Sequence, residues 1–575
     1  MRKNDTKFLW KYIKKHIPFI VISLLLSLFY SLLTLAIPYL VGETIDLMVK
    51  PGTVDFSKII NSSILIFVFS LIICFSQYFS SFINNRMTFN ISRDIRSDVN
   101  KKIHRLPLKY LDNKPIGDIV NRNINDVETI TDGLVMGFNQ FFTSVITIIT
   151  SLIIMFILDY RIALVVFFLT PLSLFVARFI SNSTYNLFKK QSKIRASQTS
   201  FINEMITNIN VVQQFNMEDD NLTYFEDINK KLENVSTKAV FFSSMVNPVT
   251  RFINSIIYAS VALIGALVCL DSITLEVGVL VAFLSYVNQY TKPFNEITGV
   301  ISELQNAFSS TSRVREILEE EEENQEYSDE LINVQGDIEL KNVCFSYTKD
   351  KPLIENFNLQ IKKGTKVAIV GPTGCGKTTL INLLMRFYEV DQGQILVDNQ
   401  SIKDVSRKSL RNNYGMVLQD TWLKETSIFE NVRMSNEKVT KEEVMNALKE
   451  SYADKFVEQM PNGIDTIVKD DSSISHGQKQ LLCISRIMLT KPPILILDEA
   501  TSSIDTRTEI KIQKAFNKLM EGKTSFIVAH RLSTIKNADL ILVMKNGKII
   551  EHGKHEDLLD KKGFYYELYN SQFCK

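Results

Sequence analysis

Between Ile17 and Val41 the chain carries no Asp, Glu, Lys or Arg, and this run constrains the fold more than any other stretch. About 20 apolar residues cross a bilayer as one helix. In lipid a lone segment finds no water, so it must close its backbone hydrogen bonds within itself. Similar runs lie at about 59–83, 134–158, 162–180, 240–270 and 275–300, the last two interrupted by polar residues. Six membrane helices are expected. From about residue 336 the pattern changes to short apolar segments between turns, as in a soluble α/β domain. The 575 residues are too many for one domain. The expected boundaries are 1–318 for the membrane domain, 319–335 for a linker and 336–575 for the soluble domain.

Basic residues orient the spans. Arg2, Lys3, Lys7, Lys11, Lys14 and Lys15 precede the first, and two further basic groups run from Arg86 to Arg122 and from Lys189 to Lys238. The opposite side has Lys50, Lys58 and Arg161. Both termini and the soluble domain are therefore expected in the cytoplasm. The basic start precedes an apolar run too long for a signal peptide and reads as a retained anchor. The two basic connections span roughly 50 to 60 residues each, and a structureless loop of that length would be unusual. Each is expected to form two helical arms reaching about 37 Å inward at 1.5 Å per residue. The tips are expected near Pro115–Asp118 and Glu204–Asn208.

Polar groups inside the spans are sparse: Gln77, Asn139, Gln140, Asn247, Arg251, Asn254, Asn288 and Gln289, with aromatic neighbours such as Phe252, Tyr286 and Tyr290. Such groups face a bundle interior or a cavity, and bonding helix to helix is the commoner use of any one. A cavity of this make-up suits hydrophobic or amphipathic cargo, drugs or lipids. The net charge of +2 gives no reason to expect nucleic acid, and the six cysteines show no CxxC pairing for a metal. The five glutamates Glu319–Glu323 read as a solvated linker.

The soluble half is organised around Gly371-Pro-Thr-Gly-Cys-Gly-Lys-Thr-Thr379, between an apolar strand and an amphipathic helix. Gly371, Gly376, Lys377 and Thr378 meet the spacing of a phosphate loop. Its glycines let backbone N–H groups and a helix N-terminus face an anion. Lys377 would neutralise the β- and γ-phosphates of ATP, and the Thr378 hydroxyl would hold Mg²⁺. The apolar strand Ile494–Leu497 ends in Asp498, fit to hold Mg²⁺, and Glu499, fit to act as general base on water. Gln419 and His530 each end a strand and could reach the metal or water and the γ-phosphate. Tyr347, at the end of an expected antiparallel strand, could stack on adenine. Ser475 and Gly477 open another anion-seeking helix start.

This order of elements resembles the ATP-binding cassette exporters. Their fold, the type I exporter or type IV fold, fuses an all-α six-helix transmembrane domain to an α/β P-loop nucleotide-binding domain. The resemblance covers nearly the whole chain. It identifies Gly371, Pro372, Thr373, Gly374, Cys375, Gly376, Lys377, Thr378 and Thr379 as the Walker A loop and Tyr347 as the A-loop aromatic. It makes Gln419 the Q-loop, Ile494–Glu499 the Walker B strand, Ser502–Asp505 the D-loop with Asp505, and His530 the switch histidine. Ile474 with Ser475, His476, Gly477 and Gln478 corresponds to the signature loop, which faces ATP held by a partner chain. The arm tips resemble coupling helices. The implied mechanism is alternating access, with ATP between two cassettes favouring the closed pair.

The family signature begins Leu-Ser-Gly-Gly-Gln, so Ile474 and His476 are departures, and Lys469–Ser473 stands where a Gly-Glu pair is usual. Gly371–Gly374, Leu384–Tyr388, Leu519–Ser525 and Gly563–Glu567 resemble one half of the heterodimeric bacterial multidrug exporters. In such pairs the half with the complete catalytic Glu often carries the altered signature. A heterodimer with a second half-transporter is therefore favoured over a homodimer, in a bacterial cytoplasmic membrane. A peptide exporter and a nucleotide-gated channel or sensor are the alternatives; intact Glu499 and His530 argue for turnover over gating.

Overall fold

The computed structural model describes residues 3–49, 54–271, 276–323, 329–348, 350–418, 421–434, 436–469, 474–498, 504–528 and 535–573. The chain divides into two compact units, 1–104 with 116–320, and 105–115 with 321–575.

The first unit is helical. In chain order the helices are α1 (Lys3–Ile13), α2 (Ile17–Val49), α3 (Phe56–Ile103), α4 (Leu108–Asp112, part of the second unit), α5 (Ile116–Asn121), α6 (Val127–Met136), α7 (Phe142–Leu158), α8 (Tyr160–Thr207), α9 (Ile209–Gln214), α10 (Glu218–Asp271) and α11 (Val277–Glu319). Single π-turns join α5 to α6 and α6 to α7. Among the described residues, four helical stretches are long and apolar enough to cross a membrane: Asn4–Met48, Phe56–Ile103, Ile116–Leu158 and Glu218–Leu270. The expected span at 162–180 falls within α8 and begins in a shorter apolar helix, Tyr160–Pro171; of the one expected at 275–300, residues 277–300 fall within α11 and residue 275 lies outside the described residues. Pro38, Pro171, Pro248 and Pro293 lie inside α2, α8, α10 and α11, as membrane helices tolerate.

Small polar side chains join these helices. Ser23 and Ser27 of α2 meet Ser80 of α3 at 3.1 and 3.3 Å. Tyr30 donates to Thr143 at 2.9 Å. Asn139 accepts from Asn84 at 2.9 Å and donates to Asn85 at 3.0 Å, which makes it a helix-to-helix bond. At the far end of α11, buried Asp126 takes Arg313 and Ser310, and Arg122 pairs with Glu316 at 2.7 Å.

The arms are continuous helices, as expected, but each chain reversal is offset from its expected tip. The first occupies 104–115 and contains α4; Pro115 stands just before α5 and does not bend the chain after it, in keeping with the fit of proline to a helix start. The second occupies 208–217 and contains α9.

The second unit has two sheets. One is antiparallel, in the order β2 (Ile354–Ile361), β1 (Ile338–Phe345), β4 (Gln392–Val397), β5 (Gln400–Ser401). The other has the order β10 (Lys548–Gly553), β9 (Leu540–Lys545), β3 (Lys366–Val370), β8 (Thr524–Val528), β7 (Ile494–Asp498), β6 (Tyr414–Val417). Every pair from β9 to β6 is parallel. Alternate residues of β7 enter opposite cores, Leu495 and Leu497 one, Ile494 and Ile496 the other. Burial on both faces explains the unbroken apolar strands.

The acidic run is not simply solvated. Glu323 is bound by Arg411 at 2.7 and 3.2 Å and lies 3.3 Å from Arg407, and its N–H donates to the Arg105 carbonyl at 2.8 Å. Charge-assisted hydrogen bonds between a carboxylate and guanidinium groups are roughly twice as strong as neutral ones.

Candidate nucleotide site

The parallel strands β3, β8, β7 and β6 end together, because Val528 is level with both Ile369 and Asp498, and Leu497 with Val417. The loop after β3 leads into α12 (Lys377–Leu384). Gly374 and Gly376 hold φ of +81° and +103°, a backbone that side-chain-bearing residues rarely adopt. Cys375 and Thr379 are buried, whereas Pro372, Thr373, Gly374 and Thr378 are exposed. The loop thus presents its backbone and the Thr378 hydroxyl outward and anchors itself through Cys375 and Thr379. The Cys375 carbonyl accepts from Gly547 N–H at 3.0 Å, tying the loop to the β9–β10 turn. Lys377 Nζ donates to the carbonyls of Gly371 and Pro372 at 2.8 and 3.1 Å, which keeps its charge over the loop.

Asp498 closes β7, half-buried. Tyr347 follows β1, 41% exposed, with its hydroxyl 3.1 Å from Thr379 Oγ1. The sheet edge and Tyr347 therefore converge on one loop. Gln419, Glu499 and His530 lie outside the described residues, as do Ser502 and Ser503.

The signature-like segment opens helix α17 (His476–Thr490; helices α13 to α16 are Arg407–Asn412, Ile428–Arg433, Lys441–Glu450 and Asp454–Glu458). Ser475 caps it: its Oγ accepts from Gln478 N–H at 3.3 Å and its own N–H donates to Gln478 Oε1 at 2.9 Å. This reciprocal cap satisfies two otherwise orphaned donors and was missed in reading the sequence, although Ser-x-x-Gln is its signal. Gly477 is required by packing: a Cβ there would lie 2.6 Å from Thr508 and 2.9 Å from Ile504. Both departures are accommodated within this chain's own fold. Ile474 is 6% exposed in the apolar core, where it replaces another aliphatic side chain, and His476 is exposed at the first helical position.

Asp505 caps α18 (Thr506–Met520) by accepting from the N–H groups of Arg507 and Thr508 at 3.1 and 2.9 Å. Those hydrogen bonds, led by Thr508, hold its carboxyl below the usual aspartate value. No group of three or more His, Cys, Asp or Glu side chains suited to a metal occurs among the described residues. A nucleotide-borne Mg²⁺ needs fewer protein ligands, and Thr378 and Asp498 offer oxygens of the right kind.

Comparison with known proteins places this geometry in a family. Residues 20–294 match the model described as the ABC transporter transmembrane region, and residues 354–502 match the ABC transporter model. A fatty acid ABC transporter ATP-binding/permease protein of Mycobacterium tuberculosis is 41% identical over 476 residues, 82% of this chain and 75% of that one. An uncharacterized ABC transporter ATP-binding protein of Bacillus subtilis is 34% identical over 576 residues, 100% of this chain and 95% of its own. An ATP-dependent lipid A-core flippase of Syntrophus aciditrophicus is 30% identical over 575 residues, with the same coverage. With its helical membrane region and its ATP-binding sheet on one polypeptide, the chain belongs to the ABC transporters and is a transporter ATPase.

Proposed function

We propose that this chain is a half-transporter that exports hydrophobic or amphipathic compounds, drugs or lipids, across a bacterial cytoplasmic membrane. Its domains would be 1–318, the linker 319–335 and the cassette 336–575, with both termini cytoplasmic. The observation that carries the reading is the shared edge of β3, β7 and β8, where an outward-facing glycine loop and Asp498 stand beside Tyr347. In the proposed site Gly371–Thr379 wraps the phosphates, Lys377 neutralises them and Tyr347 stacks on adenine. Thr378, Gln419 and Asp498 would hold Mg²⁺, which supplies charge neutralisation at the phosphates. Glu499 takes a proton from the attacking water and His530 steadies the γ-phosphate. Ser475, His476, Gly477 and Gln478 would face the partner's ATP, and Asp505 the opposing cassette.

Lipid-like cargo finds support in the relatives, one named for fatty acids and one for lipid A-core. The preference for a heterodimer rests on the altered signature beside an intact Glu499. The deciding experiment is Glu499→Gln in the full chain with its partner in liposomes. It should abolish steady-state ATP hydrolysis, a loss of more than a hundredfold, while ATP binding stays within about twofold. Hydrolysis within tenfold of wild type would remove Glu499 from the general-base role.

A further inference from the structure

Residues 105–115 are held on the cassette unit at both ends. At one end, the Arg105 carbonyl accepts from Glu323 N–H, and Glu322 lies 3.6 Å from the Arg105 guanidinium. In the middle Leu108 packs on the core that holds Leu380 and Tyr388. At the other end Tyr388 donates its hydroxyl to Asp112, the last residue of α4.

Tyr388 reaches further than this contact. It is 8% exposed, and its ring stands edge-on to Tyr347 with centroids 5.1 Å apart and to Phe345 at 5.6 Å. Tyr347 continues to Thr379 of the glycine loop at 3.1 Å. Asp112, Tyr388, Tyr347 and Thr379 therefore form an unbroken series from α4 to the loop. Burial, and then the Asp112 carboxylate, push the Tyr388 hydroxyl above its ordinary value, so it remains a donor at any working pH. A cleft of about 510 Å³ is lined in part by Pro107, Lys109, Tyr347 and Tyr388. Within the series, the one side chain that touches both Asp112 and Tyr347 is Tyr388.

We propose that Tyr388 is a positioning residue for nucleotide: held by Asp112, it sets the ring of Tyr347, so that the docking of residues 105–115 and nucleotide binding at Gly371–Thr379 are linked. This rests on the nucleotide-site reading above. Losing the hydrogen bond that holds the ring changes a population by roughly two- to tenfold. Linkage is reciprocal, so nucleotide must tighten the docking of 105–115 by the same factor.

The test uses the full chain with its partner in nanodiscs, with TNP-ATP as the binding probe. Tyr388→Phe keeps the buried ring, and Asp112→Asn changes an exposed residue, so folding is preserved. Each should raise the TNP-ATP Kd two- to tenfold, and the double variant should be no worse than the weaker-binding single one. AMP-PNP should slow hydrogen exchange of 105–115 in the wild type and not in Tyr388→Phe. A merely structural bond would raise exchange equally with and without nucleotide. Kd values within twofold of wild type, multiplicative effects, or nucleotide protection that survives Tyr388→Phe would each overturn the proposal. Lys377→Ala separates the two readings. If it weakens TNP-ATP binding while Tyr388→Phe does not, only the positioning role fails; if binding survives Lys377→Ala, the site reading fails and this proposal with it.

Discussion

The cassette and the membrane helices differ most in what they leave exposed. In the cassette, Phe526, Ile496 and Leu542 are wholly buried. Among the helices of the first unit, Phe67, Phe168 and Leu270 are 64%, 72% and 86% exposed, while Ser27, Ser80, Asn84 and Ser151 are buried. Water drives apolar groups inward in one unit. Lipid is as apolar as leucine, so in the other the helices are joined by close packing of small and polar residues. Both units also bury apolar side chains, Leu35 and Phe283 among the helices and Phe526 in the cassette; what sets the helices apart is the large apolar surface they leave outside.

The comparison is broken most easily in the cassette. Phe526→Ala in β8 empties a fully buried site and should cost roughly 3–5 kcal/mol, read as a lower thermal unfolding midpoint of the full chain in detergent. Phe168→Ala, on the exposed side of α8, should move that midpoint by far less. Equal shifts would show that the outward face of α8 is packed in the working assembly. A smaller effect is expected in the membrane unit. Ser80→Ala removes the contacts to Ser23 and Ser27, and a hydrogen bond between membrane helices is worth about 0.6 kcal/mol on average. A Ser80→Ala loss as large as that of Phe526→Ala would mean that the serines, and not apolar packing, hold α2 to α3.

What could be read from the sequence follows the same division. The strands β3 and β7 were legible because burial on both faces leaves a continuous apolar run, and the glycine loop because φ near +100° at Gly376 admits few other residues. The spans were legible from their length. The ion pairs of Glu323 with Arg411 and Arg407 were not, since the partners lie more than 80 residues apart and no local spacing joins them. The same holds for Asp112 and Tyr388, 276 residues apart. Asn84, which bonds Asn139, is not legible as a span residue because it lies just past the expected end of its span. The reversal of the first arm lies earlier in the chain than expected because Pro115 stands just before α5 and does not make the bend.

The smallest expected effect concerns two helix starts in the cassette, and it separates a charged cap from a neutral one. Asp505 caps α18 with a carboxylate whose pKa the Thr508 and Arg507 N–H groups depress. A group with a depressed folded pKa adds stability that is fully present above its unfolded value and is lost as pH falls through the folded one. The midpoint difference between wild type and Asp505→Ala should therefore be constant from pH 9 to about pH 5 and shrink below about pH 4. Ser475 caps α17 with a hydroxyl, which does not titrate, so Ser475→Ala should cost about 1 kcal/mol at every pH at which the chain folds. A difference for Asp505→Ala that widens on acidification would mean that its protonated form is the one bound at the helix start, and would reverse the sign of the linkage.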